Sequence, residues 1–377
     1  MWLRARGPLA GALALAICLA SLSILSGGDE TDASGQGQAA LSPDFLGLVA
    51  EDVFGKPGRY RRRNLDRLEQ TGAGLVRQTF DWARIERRRG RYELAFHDRY
   101  VAALAARGIR VLPILFNPPR FRSSAPRRGA RRGTYPPERF ADLGAFGAML
   151  ARRYGPDGSF WRRRPDLPQL PFRAWQVWNE PNLRVYWPTG PSPRQYVRLL
   201  RVTGRAIERV DPDAEIVTAG LPNSRLGVPL RRYLRGMYAA GAANAFDTLA
   251  LNPFARATRD VIGMIRGARA VAAASGDDPA VRVTELGWAT GGPPSSFKVT
   301  EAQQAKLVET TLLALARRRE ALRIRGVVYF NWRDSLPYLG GRDFFGLHTG
   351  LLRLRGSSKP AFGSYQKVAR TLELLPD

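Results

Sequence analysis

The chain of 377 residues is 44% hydrophobic and 24% charged, ordinary for a globular protein and long enough for one large α/β domain. Its one cysteine, Cys18, lies in an N-terminal apolar run and its only histidines are His97 and His348, which excludes disulfides, metal centres built on Cys or His and, nearly, a Ser-His-Asp triad. The net charge of +26, mostly arginine and spread along the chain, predicts non-specific polyanion binding at low salt, but without a helix-turn-helix, zinc finger or aromatic RNA-binding motif no specific nucleic-acid partner is expected.

Residues 1–26 join a basic start to an uncharged apolar run over 8–25. That is the pattern of an export signal peptide or a membrane anchor. Small residues at Ser26-Gly27-Gly28 suit cleavage, and the run is also long enough to stay as a membrane-contacting span. Either way the protein is expected outside the cell, secreted or tethered to the outer face of the membrane. Residues 27–40, rich in Gly, Ser, Asp and Thr, read as a flexible tether, leaving 41–377 for the fold.

From there strand and helix signals alternate. Residues 45–54 read as a first strand and 60–70 as a helix with Leu65 and Leu68 on one face. Strands follow at 74–80, 109–116, 172–178, 215–219, 247–251, 281–285 and 326–330, and helices at 97–107, 139–154, 194–210, 230–240, 259–274, 300–319 and 360–374. Eight strand–helix pairs without a Gly-rich phosphate loop favour a (β/α)8 TIM barrel, a single catalytic domain, over a doubly wound sheet.

Two strands end unusually. Trp175-Gln176-Val177-Trp178-Asn179-Glu180-Pro181-Asn182 and Val283-Thr284-Glu285-Leu286-Gly287-Trp288 each read as a buried strand stopping at a carboxylate flanked by Trp, Gly or Pro. A barrel keeps its chemistry at the C-terminal ends of its strands, and a two-carboxylate glycosidase needs two acids there. Either Glu alone could simply pair with a loop arginine; the two together, at the fourth and seventh strands, point to catalysis.

Trp178-Asn179-Glu180-Pro181-Asn182 and Thr284-Glu285-Leu286-Gly287-Trp288 resemble the retaining glycoside hydrolases of clan A, most of all family 39, with family 5 as neighbour. The similarity runs from about Phe45 to the C-terminus. It takes in Val76-Arg77, Asp81-Trp82, Arg153-Tyr154-Gly155-Pro156, Val210-Asp211-Pro212, Trp332 and Lys359-Pro360-Ala361-Phe362. The resemblance implies Glu180 as acid/base, Glu285 as nucleophile, Arg77 holding Glu285 charged, and Asn179 on the sugar 2-hydroxyl. It also implies Trp332 as a sugar-stacking floor followed by a cis peptide, Trp332-Arg333. No cofactor and no metal are implied. Trp82, Trp187 and Trp288 are further candidates, either platforms or rim packing. Asn117 is either a substrate contact or a turn residue before Pro118-Pro119. One stretch departs from the family pattern: Asn252-Pro253-Phe254 stands where His-x-Tyr is common, so a Tyr hydroxyl on Glu285 is missing while the Asn252 amide can still donate. That departure keeps a catalytically silent glycan-binding barrel as the alternative.

Between the third strand and its helix, Arg120, Arg122, Arg127, Arg128, Arg131 and Arg132 give the mouth a basic loop. It is either a solvated loop of an Arg-rich chain or a site for acid groups. The expected partner is a carbohydrate, an anionic glycan in the second case.

Overall fold

The computed structural model describes residues 41–54, 58–130, 133–337 and 341–374. The expected export segment with Cys18, the tether, and Arg131 and Arg132 lie outside them. Among the described residues no helix is long and apolar enough to cross a membrane.

The strands are β1 Leu46–Val49, β2 Leu75–Asp81, β3 Arg110–Phe116, β4 Ala174–Val177, β5 Glu215–Val217, β6 Leu221–Pro222, β7 Thr248–Asn252, β8 Ala280–Leu286 and β9 Ile324–Tyr329. All pair in parallel in one sheet. β1 pairs with both β2 and β9, and Val217 of β5 pairs with Thr248 of β7, so the sheet closes into a barrel. The helices in chain order are α1 Glu51–Phe54, α2 Gly58–Glu69, α3 Trp82–Ile85, α4 Ala95–Ala105, α5 Phe140–Tyr154, α6 Ser159–Arg162, α7 Pro193–Glu208, α8 Leu230–Ala239, α9 Thr258–Ala273, α10 Glu301–Arg317 and α11 Pro360–Thr371. The protein is a (β/α)8 barrel, with β5 and β6 sharing the fifth position and β7, β8 and β9 filling the sixth to eighth.

Two strands differ from expectation. The first ends at Val49 rather than 54, because Glu51 and Asp52 favour the N-terminal turn of α1. The fifth is split after Val217: the Ala219 amide leaves the ladder to bond the Tyr196 hydroxyl at 2.5 Å. The break matters for the site, since Gly220 packs where any Cβ would lie 2.2 Å from Asn252 Oδ1.

Side chains alternate as strands require. Val49, Leu75, Leu112, Val217, Ala250 and Val328 fill the lumen as one cluster, while Val76, Phe80, Val177 and Val283 pack under the helices. The interior is therefore a packed plug that supports whatever stands above it. α10 starts as anticipated at Thr300, whose hydroxyl accepts from the Gln303 amide while Gln303 reaches back.

Arg122 of the basic loop belongs to this scaffold. Glu86 has no exposed side-chain surface and accepts from Arg122 Nε and Nη2 at 2.8 and 2.7 Å, the Trp82 indole at 2.6 Å and the Gly90 amide at 2.7 Å. Removing the arginine strands a buried carboxylate. Arg122→Met is expected to lower stability by about 3 kcal/mol, read as a lower denaturant midpoint at constant slope. A loss of a few tenths would mean that water already solvates Glu86.

Candidate active site

The C-terminal end of β4 delivers the first carboxylate through a strained turn. Trp178 (φ 76°) and Glu180 (φ 42°) occupy the left-handed region, as does Asn117 (φ 58°) at the neighbouring end of β3. Each such residue costs on the order of 1 kcal/mol and persists only where its surroundings fix it. Here the fixings are visible: the Trp178 amide bonds Leu115 O at 3.1 Å, its indole bonds Tyr186 O at 3.0 Å, and buried Asn182 donates to Pro222 O and Val228 O. Glu180 is thereby turned over the lumen, 8% exposed.

β8 delivers the second. Val283 pairs with Val327 and Leu286 with Tyr329, so β8 carries one residue more than β9 between these pairs. A bulge of this kind re-aims a side chain, and Glu285 sits within it. Gly287 then passes so close to β9 that a Cβ would lie 2.0 Å from the Phe330 carbonyl oxygen; only glycine fits.

Arg77, 2% exposed, joins the two ends. Its Nη1 donates to Glu285 Oε1 at 2.7 Å, its Nη2 to Asn179 Oδ1 at 2.9 Å and its Nε to Gln176 Oε1 at 2.7 Å. Gln176 is fixed in turn by donating to Thr218 O at 3.0 Å. Asn252 departs from expectation: it donates to Glu180 Oε1 at 2.8 Å instead of Glu285, and its own oxygen accepts from the Thr284 hydroxyl at 2.8 Å. The glycine at 220 leaves room for this Thr284–Asn252–Glu180 chain.

The two acids therefore differ. Burial raises both pKa values. For Glu285 the Arg77 charge and hydrogen bond oppose that rise. Glu180 is raised by burial and then by the charge of Glu285, against the weaker help of neutral Asn252 and the more distant Arg77. The acid touching the guanidinium gives up its proton first. Its negative charge then holds the proton on the other.

Other expected residues lie elsewhere. Trp82, Trp187, Trp288 and Trp332 are each 0% exposed, so none is a platform. Trp332 packs against Phe362 with its indole on Asn64. By strand alternation it is Phe330, half-buried, that follows Val328 onto the lumen side. The cis peptide is Phe330–Asn331, two residues before the expected Trp332-Arg333. Asn117 donates its amide to Asp81 Oδ1 at 2.9 Å and its carbonyl accepts from Ala83, the turn role of its two readings. In the basic loop Arg120, though exposed, is bonded to Ala125 O and Pro126 O, and Arg127 and Arg128 are exposed as well.

Sequence reasoning missed Gln176, Thr284, Gly220 and Glu51. A polar residue inside an otherwise apolar strand, two positions from a lumen-facing one, was the available signal for Gln176 and Thr284. Glu51 follows Val49 in the lumen parity of β1. It accepts from the Thr79 amide at 2.8 Å and Gln78 Nε2 at 2.6 Å, and crowding by protein raises its pKa.

No family model and no curated protein matches the chain. Its fold is similar to solved structures. A family 39 glycoside hydrolase from Bacteroides cellulosilyticus WH2 aligns with a TM-score of 0.61 at 17% identity over 88% of this chain and 65% of its own. A glucosidase from Croceicoccus marinus gives 0.57 at 18% over 82% and 63%, and an exo-beta-1,4-mannosidase from an Opitutaceae bacterium gives 0.59 at 17% over 90% and 63%. The chain thus spans just under two-thirds of the length of these structures, and at such identities the likeness establishes the barrel.

Proposed function

We propose that this chain is a retaining glycoside hydrolase of the family 39 type, exported by residues 1–26 as signal or anchor, with 27–40 as tether and 41–377 as catalytic domain. The observation that carries the reading is the pair of buried, unequal carboxylates at the barrel mouth, Glu285 on Arg77 and Glu180 on Asn252. Glu285, ionised, attacks the anomeric carbon through Oε2, since Arg77 occupies Oε1. Glu180 gives its proton to the glycosidic oxygen as that bond breaks. It then takes a proton from water, whose oxygen displaces Glu285 and leaves the anomeric configuration unchanged. Asn179, aligned by Arg77 through its oxygen, presents its amide to the 2-hydroxyl. No step needs a metal or a cofactor.

The mouth favours a neutral sugar at the reacting position. Glu51 and Asp81 stand just after β1 and at the end of β2, Arg77 is matched by Glu285, and Arg122 is engaged by Glu86. The anionic-glycan reading rests on Arg127 and Arg128, farther out on the loop.

The test is reducing-end release by the full chain from a panel of neutral and acidic polysaccharides at physiological salt, beside Glu180→Gln and Glu285→Gln, with the product anomer read by NMR. Release lost in both variants and a retained anomer are expected. Affinity without release, equal in all three proteins, would replace the enzyme by the silent glycan-binding barrel that Phe254 in place of Tyr first suggested.

Activity should be bell-shaped in pH, with the alkaline limb set by Glu180, pushed up to about 8. Asn252 bonds the ionised form and so lowers this value. Asn252→Ala should therefore move the alkaline limb to higher pH and leave the acid limb nearly in place. A shift to lower pH would sink the assignment of Glu180 as the acid.

A further inference from the structure

The loops on the far side of the mouth carry phenylalanines rather than the tryptophan floor the sequence suggested. Phe254 follows β7, Phe297 follows β8, and Phe330 and Phe345 follow β9. All four are half-buried, and they touch: Phe254 lies 6.1 Å from Phe297, 6.1 Å from Phe330 and 5.3 Å from Phe345, and Phe297 lies 4.6 Å from Phe345. Phe344, 48% exposed, extends the wall outward at 5.9 Å from Phe345. The wall is continuous with the carboxylates. Phe254 is two residues from Asn252, which bonds Glu180, and the Phe330 amide bonds the carbonyl of Leu286, next to Glu285.

A second observation points the same way. The exposed large apolar side chains among the described residues are Val185, Leu226, Leu336, Phe344 and Leu354. Every one lies on a segment leading from the C-terminal end of a strand to its helix, the face where a barrel binds its substrate. The apolar side chains left exposed are thus on the face where a substrate would meet them.

Phenylalanine offers ring faces and edges but no hydrogen-bonding group, unlike Tyr or Trp. A sugar laid along the ring faces of this wall would leave hydroxyls facing carbon instead of water. We propose that the wall is the leaving-group subsite and that the substrate is a glycoside with an apolar aglycone, alkyl or aryl. This deepens the proposed glycosidase reading and rests on it.

The experiment uses the full chain and matched methyl, butyl, octyl and phenyl glycosides of the sugar that the panel identifies, below their micelle concentrations. The ratio of kcat/KM for octyl or phenyl over methyl glycoside is the readout. It is expected to exceed about tenfold. In Phe344→Ser and Phe297→Ser it should fall by about that factor, and Phe344→Leu should restore most of it. A ratio climbing through octyl identifies a lipid-like aglycone; phenyl above octyl identifies an aryl one. A ratio near one, or one unmoved by either serine, overturns the wall as a subsite. Binding of the same compounds by calorimetry separates the two claims. If nothing turns over but octyl or phenyl binds more tightly than methyl and Phe344→Ser abolishes the difference, the wall stands and the hydrolase fails. If binding shows no preference, the wall fails.

Discussion

Glu285→Gln should lower kcat on the order of 10⁴-fold or more for every glycoside the protein cleaves, whatever the leaving group, because an amide in its place cannot form the glycosyl–enzyme bond. Glu180→Gln should behave differently. It removes proton donation, an effect of about 10²–10⁴-fold that vanishes when the leaving oxygen needs no proton. A dinitrophenyl glycoside should therefore still be attacked by Glu285, and the intermediate should accumulate because no base activates water. A small anion such as azide needs no general base to attack the intermediate, and it should release a glycosyl azide of unchanged configuration. The same loss for alkyl and dinitrophenyl substrates in Glu180→Gln would show that Glu180 is not the acid. The Gln variants keep the shape of the site. Glu285→Gln does leave Arg77 without its anion in a buried position, so a stability loss of a few kcal/mol should accompany it and must be measured beside the kinetics.

Much of this was legible because strands and helices carry their periods openly. Eight alternations, a carboxylate closing the fourth strand and another in the seventh were enough for the barrel and for two buried carboxylates at its mouth. Arg77 was legible too, through the resemblance of Val76-Arg77 to the family's second strand. Side-chain direction at strand ends was not. The family resemblance makes Trp332 a platform, yet alternation along β9 brings Phe330 to the lumen side and buries Trp332 against Phe362. Asn252 reads as a partner for the nucleophile because it opens the stretch where the family commonly has His-x-Tyr. The bulge in β8 and the break between β5 and β6 decide otherwise, and both arise from pairing between strands distant in sequence. The phenylalanine wall was hidden for the same reason: its members come from three loops and only folding brings them together.

Arg77→Met is the substitution that tests whether the two carboxylates are made unequal by their partners. Met fills similar space without charge, so Glu285 loses the guanidinium that opposes the effect of burial on it. The folded-state pKa of Glu285 then rises, and the acid limb of the activity profile should move to higher pH. Glu180 loses the weaker lowering by Arg77 as well, while at alkaline pH the ionised Glu285 still holds the proton on it, so the alkaline limb should also move to higher pH. The bell moves upward on both sides. At its peak kcat/KM should still be lower by about 10²–10³-fold, the usual effect of losing one preorganised charged donor, because Asn179 and Gln176 lose their alignment as well. Arg77→Lys should recover little. A single ammonium cannot reach Glu285, Asn179 and Gln176 at once, which is what the planar fork does here. If instead the profile of Arg77→Met kept its position on the pH axis and only its height fell, Arg77 would act by positioning alone. The inequality of the two acids would then have to come from the desolvation of Glu180 at its strained turn, where φ is 42° and Asn252 is its hydrogen-bonding neighbour.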